Sequence, residues 1–277
     1  MTEVVNKTTM IFYNNHSYSL EYTGTTGKIT KIELGYASEY KKTNGSVKAA
    51  AIKKAAAKLN KEINKITSKI KPGMNSVDKA LFVHDQIAKD TSYEDKVSNN
   101  SRLTEYGVLV KHKGNCQGYS LAYAAVMEKL GFSVHFVDSE YMDHVWNQIK
   151  IGSNWYNVDV TWDDPLNANV DIPGRAGHNC FMRSDAGIAS SSAGKHYGWV
   201  SNEKGNSETY ENAFWSIIDK PFVYENNQWY CMYEEKIQKC TVSTATLEDT
   251  VYTITDRWTA GGSGYWTGAY SGFGGYN

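Results

Sequence analysis

The segment 116–162 constrains the fold most, because its hydrophobic period changes partway along it. Residues 116–130 place apolar and aromatic side chains at the three-to-four-residue spacing of a helix. After Gly131 the period drops to two in the runs FSVHFVD, HVWNQIKI and WYNVDVTW, which is typical of half-buried strands. Gly152 and Ser153 separate the last two runs by the length of a tight hairpin turn. One helix followed by antiparallel strands predicts an α+β fold.

The flanking sequence divides the chain into three segments. Residues 1–45 alternate in TTMIFY, SYSLEY and KITKIELGY, which predicts a small β meander. Residues 46–208 form the central segment, whose two leading helices span about 46–70 and the stretch from Ser76 to just before Thr91. Residues 209–277 are rich in aromatic residues and glycine, which predicts a β-rich segment that could be a partial β repeat.

Charge and hydropathy exclude several classes of partner. Lysine plus arginine number 29 and aspartate plus glutamate number 30, so the net charge of −1 gives no general attraction to nucleic acid or an anionic membrane. No apolar run approaches the roughly 18–20 residues of a membrane-spanning helix. The first ten residues, MTEVVNKTTM, show no signal peptide. We therefore predict neither a nucleic-acid partner nor a membrane span.

One of the four cysteines has a distinctive position. Cys116 follows Gly114 and Asn115, and Asn115 is a good N-cap for the helix that starts there. A helix N-terminus stabilises a thiolate, and its free N–H groups can bind an oxyanion. The alternative for Cys116 is a small buried hydrophobic residue.

The other cysteines suggest no reactive site. No CxxC pair is present, and four cysteines are too few for a disulfide scaffold. We expect Cys180 to be buried and inert. Cys231 and Cys240 flank a hairpin centred on Glu234-Glu235, where they are diagonal neighbours, so a disulfide is open but not expected.

The predicted hairpin brings a histidine and an aspartate together. With a two-residue turn at positions 152 and 153, His144 lies opposite Thr161 and Trp146 lies opposite Asp159. His144 and Asp159 then share a sheet face, roughly 7–8 Å apart as diagonal neighbours. An aspartate inside an apolar strand needs a partner, and the imidazole supplies one. Together with Cys116 they could form a Cys-His-Asp site for acyl transfer. The alternative is a structural His–Asp pair beside an inert cysteine.

The remaining polar residues carry weaker signals. His84 and His135 are expected to be half-buried, whereas His178 and His196 could line a cleft or be solvated. The acidic group Asp159, Asp163, Asp164 and Asp171 lacks the ligand spacing of a calcium loop and is better explained as a capped strand end. We predict no metal site and no cofactor.

Three separated motifs resemble one protein family. They are GNCQGYSLAYAAVMEKLGFSVHFV, then HVWNQIKI, then WYNVDVTWDDP, within a match over about 75–200. In this order they resemble the bacterial transglutaminase-like superfamily, whose papain-type core packs helices on an antiparallel sheet. The resemblance implies that 46–208 is a catalytic domain of this type.

The resemblance also assigns roles to residues. It implies Cys116 as nucleophile, His144 as general base and acid, and Asp159 as the orienting carboxylate. The backbone N–H of Cys116 would supply part of the oxyanion hole, and Trp146 and Trp162 would line the substrate site. The family contains cross-linking enzymes, peptidases, amidases and domains without known activity.

Two functions follow from this reasoning. The first is a thiol-dependent acyl-transfer enzyme that acts on glutamine side chains or on peptide and amide bonds. The second is a non-catalytic binding or adhesion module on the same fold. Members with the TWDDP ending resemble exported bacterial cell-surface proteins, which implies a secreted or cell-surface location and a protein, peptide or cell-wall peptide partner. The presence of all three catalytic residues favours the enzyme.

Overall fold

The structure, a computed structural model, describes residues 7–24, 27–96, 100–167, 170–191, 194–201 and 203–254. Helices and antiparallel sheets occupy separate stretches of the chain, which confirms the α+β class. The described helices are α1 Ala49–Thr67, α2 Ser76–Asp90, α3 Glu105–Lys111, α4 Cys116–Lys129 and α5 Asp185–Ala189. None of them is long and apolar enough to span a bilayer.

The described strands form one central sheet, one C-terminal sheet, one long N-terminal hairpin and two short pairs. The central sheet has the order β10-β7-β6-β5, and the C-terminal sheet has the order β11-β12-β13-β14. The strands are β1 Asn14–Thr23, β2 Lys28–Tyr36, β3 Ser92–Tyr93, β4 Lys113–Gly114, β5 Val134–Ser139, β6 His144–Ile151, β7 Asn154–Val158, β8 Leu166–Asn167, β9 Val170–Asp171, β10 Phe181–Arg183, β11 Val223–Glu225, β12 Gln228–Tyr233, β13 Lys236–Thr241 and β14 Thr246–Thr253.

The hairpin of β6 and β7 has the predicted register. Ile151 pairs with Asn154, and Asn147 pairs with Val158, as expected for a two-residue turn. The third strand is shorter than predicted, because β7 ends at Val158 and the chain turns over 160–163. The cause is Asp159, whose Oδ1 accepts the backbone N–H groups of the residues two and three positions later.

Helix α4 packs against the central sheet and starts where the sequence predicts. The Asn115 side chain accepts a hydrogen bond from the backbone N–H of Gly118 at 3.4 Å. The backbone N–H of Asn115 donates to the carbonyl of Arg102 at 3.0 Å. A Cβ on Gly118 would lie 2.3 Å from the Arg102 carbonyl oxygen. A Cβ on Gly114 would lie 2.4 Å from a methyl group of Val108. The glycines on either side of Cys116 are required by this close packing.

The N-terminal segment differs from the predicted meander. Strands β1 and β2 form the expected hairpin, but the preceding run TTMIFY is not a strand. There the backbone N–H of Met10 donates to the Glu105 carboxylate at 2.6 Å, and the backbone N–H of Asn14 donates to the carbonyl of Ile11 at 2.8 Å. The buried Phe12 ring stacks on Tyr106 with centroids 5.2 Å apart. These contacts leave no strand ladder in this run.

The other predicted elements agree with the structure, and one helix is new. Helices α1 and α2 occupy their predicted positions, whereas α3 was not anticipated. The hairpin of β12 and β13 has the expected register, with Trp229 opposite Cys240 and Cys231 opposite Gln238. Both cysteines are buried and free, in diagonal positions. Of the segment 209–277, expected to be β-rich and open to being a partial β repeat, the described part contains the four-stranded sheet β11–β14, and 255–277 lies outside the described residues.

A continuous hydrophobic core joins the three segments. It contains Phe12 from the N-terminal segment, Leu59 and Val158 from the central segment, and Trp229 and Val242 from the C-terminal segment. The central sheet and helix α4 lie within this core, so the residues at the start of α4 and at the ends of β6 and β7 have rigid supports.

We predict that Gly118→Ala destabilises the protein by about 1–3 kcal/mol, the usual cost of overpacking. Alanine favours a helix interior over glycine by about 1 kcal/mol, but the added Cβ would collide with a backbone carbonyl that cannot rotate away. Urea unfolding followed by tryptophan fluorescence measures the change. A variant as stable as the wild type would contradict the tight packing at this helix start.

Candidate active site

The candidate nucleophile lies at the N-terminus of α4. Cys116 is the first residue of the helix and is half-buried. The first N–H groups of a helix have no intrahelical acceptor and carry the positive end of the helix dipole. The backbone N–H of Cys116 is one of these first N–H groups.

His144 links the thiol to a carboxylate. It is the first residue of β6, is 9% exposed, and its Nε2 lies 2.6 Å from Oδ2 of Asp159. The Cys116 thiol lies close enough to this imidazole to contribute to its raised pKa. Because Asp159 occupies Nε2, Nδ1 is the ring nitrogen that remains for the thiol. The structure thus brings together the three residues that the sequence predicts.

The electrostatics of the pair favour the ionised forms. Burial by itself lowers the pKa of His144, but the charge and hydrogen bond of Asp159, with a smaller contribution from Cys116, raise this pKa to about 10. Burial would raise the pKa of Asp159, yet the two neighbouring imidazoles hold it well below its usual value. At neutral pH the pair is therefore an imidazolium and a carboxylate.

Asp159 is held by four donors. His144 Nε2 and His196 Nε2 approach Oδ2 at 2.6 Å and 2.9 Å. The backbone N–H groups of Thr161 and Trp162 donate to Oδ1 at 3.0 Å and 3.2 Å. Asp159 is 1% exposed, so these contacts replace the water that a carboxylate otherwise needs.

His196 is the site residue that sequence reasoning underestimated. Its ring is 1% exposed and not solvated, and it packs on Trp162 with centroids 4.2 Å apart. It lies 37 positions from Asp159 in a segment without regular structure, so no local period places it. The only available signal was a histidine that follows the strand motifs.

The two predicted substrate-site tryptophans have different roles. Both rings stack on His144, Trp162 at 5.1 Å and Trp146 at 5.8 Å between centroids. Trp146 is completely buried and donates its indole N–H to Asn157 at 3.0 Å. It therefore supports the imidazole from inside the protein and does not line a substrate surface. Trp162 is half-buried and remains at the edge of the site.

Tyr93 is a further group beside the thiol. Strand β3 runs parallel to β4 and pairs Tyr93 with Gly114, two residues before Cys116. Burial raises the pKa of Tyr93 to about 12, with smaller contributions from Cys116, Asp95 and Asp143. Tyr93 is 37% exposed, so it is accessible to solvent on the side of the thiol.

The remaining histidines divide into two kinds. His135 is half-buried as expected, beside the Trp155 ring. His84 and His178 are completely buried, which corrects the expectations of a half-buried and a cleft or solvated residue. Both contact Asp85 at 2.9 Å.

The acidic residues after β7 accept hydrogen bonds from protein donors. Asp163 accepts from His84 and from the backbone N–H of Cys180, and Asp164 accepts from the hydroxyl of Tyr119. Cys180 is buried as predicted, and burial raises the pKa of its thiol well above the usual value.

Two groups of described residues have three ligand atoms close enough for a metal ion. They are His144, Asp159 and His196, and His84, Asp85 and His178. In each group the carboxylate contacts both imidazoles at 2.6–2.9 Å, which is hydrogen-bond distance. These atoms are therefore already used in hydrogen bonds.

We predict that the His144 imidazole stays protonated at pH 8, because its pKa is about 10. The Asp159→Asn variant lacks the negative charge that opposes the effect of burial. The pKa of His144 should then fall below its unfolded value of about 6.5. Imidazole NMR in a Cys116→Ala background measures both titrations without thiol ionisation. Since the folded pKa of His144 is the higher one, the stability that His144 contributes is fully present below about pH 6.5 and is lost as pH rises through about 10, whereas the contribution of Asp159 is lost in acid because its pKa is lowered. A wild-type midpoint near 6.5 would contradict the ion pair.

Comparison with known proteins identifies the domain. Residues 60–160 match the family model of the transglutaminase-like superfamily. No curated protein sequence matches the chain. Among solved structures, a TGase is 15% identical at a TM-score of 0.36, with 60% of this chain and 47% of that chain covered.

Two further solved structures show partial likeness. A candidate cysteine protease from Cytophaga hutchinsonii is 24% identical at a TM-score of 0.32, with 42% of this chain and 41% of that chain covered. Menin, whose crystal structure reveals the binding site for the Mixed Lineage Leukemia protein, is 16% identical at a TM-score of 0.34, with 50% of this chain and 32% of that chain covered. The chain spans less than half the length of each of these three proteins.

The matched range contains Cys116, His144 and Asp159 together with helix α4 and strands β5 to β7. The sequence motifs, the α+β architecture and the family match agree on the same stretch of chain. Residues 60–160 of this chain are therefore a domain of the transglutaminase-like superfamily.

Proposed function

We propose that this chain is a thiol-dependent acyl-transfer enzyme with Cys116 as nucleophile, His144 as general base and acid, and Asp159 as the orienting carboxylate. The observation that carries the proposal is the grouping of the Cys116 thiol beside the His144 imidazole, whose Nε2 lies 2.6 Å from the buried Asp159 carboxylate. Membership of the transglutaminase-like superfamily supports the same kind of chemistry.

The geometry suits a two-step reaction. The proton of the cysteine rests on His144 Nδ1 in the thiolate–imidazolium pair, and the thiolate sulfur attacks the carbonyl carbon of an amide. The oxyanion formed is stabilised by the N–H groups at the start of α4, including that of Cys116. The imidazolium then gives its proton to the departing nitrogen, which leaves as ammonia from a glutamine side chain or as an amine from a peptide bond. A thioester remains on Cys116.

The second step regenerates the thiol. Water or an amine attacks the thioester carbon while His144 accepts its proton, and the sulfur leaves as thiolate. Water gives hydrolysis, and an amine gives transamidation. Asp159 is suited to hold the ring in one orientation throughout, because its four hydrogen bonds fix the carboxylate itself.

The substrate class and the setting belong to the same proposal. Glutamine side chains and peptide or amide bonds of proteins are the acyl donors that the family resemblance implies. The resemblance of the TWDDP segment to exported bacterial proteins supports a secreted or cell-surface enzyme with a surface protein or cell-wall peptide as partner.

We predict that iodoacetamide alkylates Cys116 at pH values well below the range of a free thiol, whose pKa is about 8.5. His144→Ala should abolish this early reactivity, since the thiolate loses its imidazolium partner. Mass spectrometry of the modified cysteine from pH 4 to 9 measures the effect. The buried Cys180, Cys231 and Cys240 serve as internal controls.

His135→Ala is the matched control variant, because it removes a histidine of strand β5 that stacks on Trp155 and not on the site. Its alkylation profile should equal that of the wild type. If Cys116 reacts like an ordinary thiol or does not react, the catalytic proposal fails and the binding module is the better explanation.

Turnover tests the reaction itself. With glutamine peptides and a primary amine we predict ammonia release that disappears in Cys116→Ala. Asp159→Asn should lower kcat by about 10²–10⁴-fold with little change in KM, because the carboxylate acts on the imidazole and not on the substrate. A large rise in KM at unchanged kcat would contradict the assigned role of Asp159. The mass of the peptide product distinguishes attack by water from attack by the amine.

A further inference from the structure

A second buried His–Asp cluster lies behind the candidate active site. It consists of His84 and Asp85 on α2, Asp163 after β7, and His178 before β10, and we call it the rear cluster. All four side chains are at most 4% exposed. The proposed reaction does not use any of them.

The hydrogen bonds of the rear cluster determine its charges. His84 places Nδ1 2.9 Å from Asp85 and Nε2 3.1 Å from Asp163. His178 places Nε2 2.9 Å from Asp85 and Nδ1 2.9 Å from the carbonyl of Ile218. Both ring nitrogens of His84 face a carboxylate oxygen, so this imidazole is held as a cation between two acidic side chains. The opposite charges make the burial of the cluster tolerable.

The shifted pKa values agree with these charges. Hydrogen bonds and charges from Asp163 and Asp85 overcome burial and raise the pKa of His84 to about 9. The two imidazoles likewise overcome burial and lower the pKa of Asp85 to about 2.

The rear cluster is connected to Asp159 by a short series of hydrogen bonds. The Asp163 carboxylate accepts the backbone N–H of Cys180 at 3.0 Å. The carbonyl of Cys180 in turn accepts the N–H of Asp159 at 3.1 Å. The N–H of Asp163 also donates to the carbonyl of Asp159 at 3.2 Å. The turn 159–163 is thus fixed at both ends, and one end depends on the rear cluster.

We propose that His84 and Asp163 are positioning residues for the catalytic carboxylate, acting through the turn 159–163. This inference rests on the proposed function. The same cluster reaches the C-terminal segment, because Asp85 Oδ2 accepts the N–H of Phe222 at 2.7 Å and His178 contacts Ile218. The segment after residue 209 therefore contributes to the position of Asp159 without contacting the thiol.

The test is the rate of Cys116 alkylation in His84→Gln, measured across pH in the full chain. Glutamine keeps a polar side chain but removes the charge that holds Asp163. We expect the rate at pH 6 to fall by about 10-fold to 100-fold, as for a small misplacement of a catalytic group. In an Asp159→Asn background the same substitution should change the rate less than about twofold, because the two act through one path.

Asp78→Asn is the matched control. Asp78 also lies on α2 and binds the C-terminal segment, by accepting the indole N–H of Trp229 at 2.9 Å. Its side chain bonds to Trp229 and to the start of α2, and within the described part of the chain it makes no hydrogen bond to the turn 159–163. Its loss should therefore lower stability and leave the alkylation profile unchanged. Asp163→Asn, which keeps an oxygen for the Cys180 N–H, provides a second test if His84→Gln does not fold.

The outcomes are separable. If the wild-type thiol lacks early reactivity, the proposed function fails. If it is reactive and a folded His84→Gln or Asp163→Asn variant retains the wild-type profile, the positioning role is wrong. An effect of equal size in the Asp159→Asn background, or an equal effect of Asp78→Asn, would also overturn it, since either result would show general destabilisation.

Discussion

The buried carboxylate of Asp159 is the group on which the rest of the site depends. A bare carboxylate inside a protein is strongly unfavourable, so each of its donors must be in place when the chain folds. Two of these donors are the backbone N–H groups of Thr161 and Trp162, just after strand β7. The other two are the imidazoles of His144, on strand β6, and of His196, in the segment between α5 and β11. The hydrogen bonds that make its burial tolerable also orient His144 toward the thiol. Stability and catalytic geometry therefore share the same contacts.

The position of Cys116, at the start of helix α4, depends on close packing and not on charge. Helix α4 starts against the carbonyl of Arg102, and only glycine at position 118 allows that approach. The hydroxyl of Ser120, one turn further on, donates to the carbonyl of Val145 in the strand that carries His144. This contact ties the cysteine helix directly to the histidine strand. The separation of sulfur and imidazole is thus set by rigid backbone elements, as an acyl-transfer site requires.

Local patterns predict the grouping of Cys116, His144 and Asp159, but not the further contacts that hold this group in place. The period change after Gly131 and the two-residue turn fix the register, and the register brings His144 and Asp159 together. The N-cap residue Asn115 marks where α4 begins. Both signals act over a few residues, so a single sequence reveals them.

Contacts between distant segments were not predictable in this way. The contacts of His196 and of the rear cluster span 37 to 93 positions, and each joins a residue of a helix or turn to one in a segment without a hydrophobic period. The burial of Trp146 depends on which side of the sheet the later loops cover. The run TTMIFY alternates like a strand, but the partner it finds is the Glu105 side chain on an unpredicted helix. In each case tertiary structure decides the outcome, and local propensity does not.

The most direct test of the central claim is the ultraviolet absorbance of the thiolate, taken as the difference between wild type and Cys116→Ala from pH 4 to 9. An imidazolium held by Asp159 beside the sulfur predicts one thiolate already present at pH 6, and its loss in His144→Ala. Thiolate absorbance that appears only near pH 8.5, about the pKa of a free thiol, in both proteins would contradict the account.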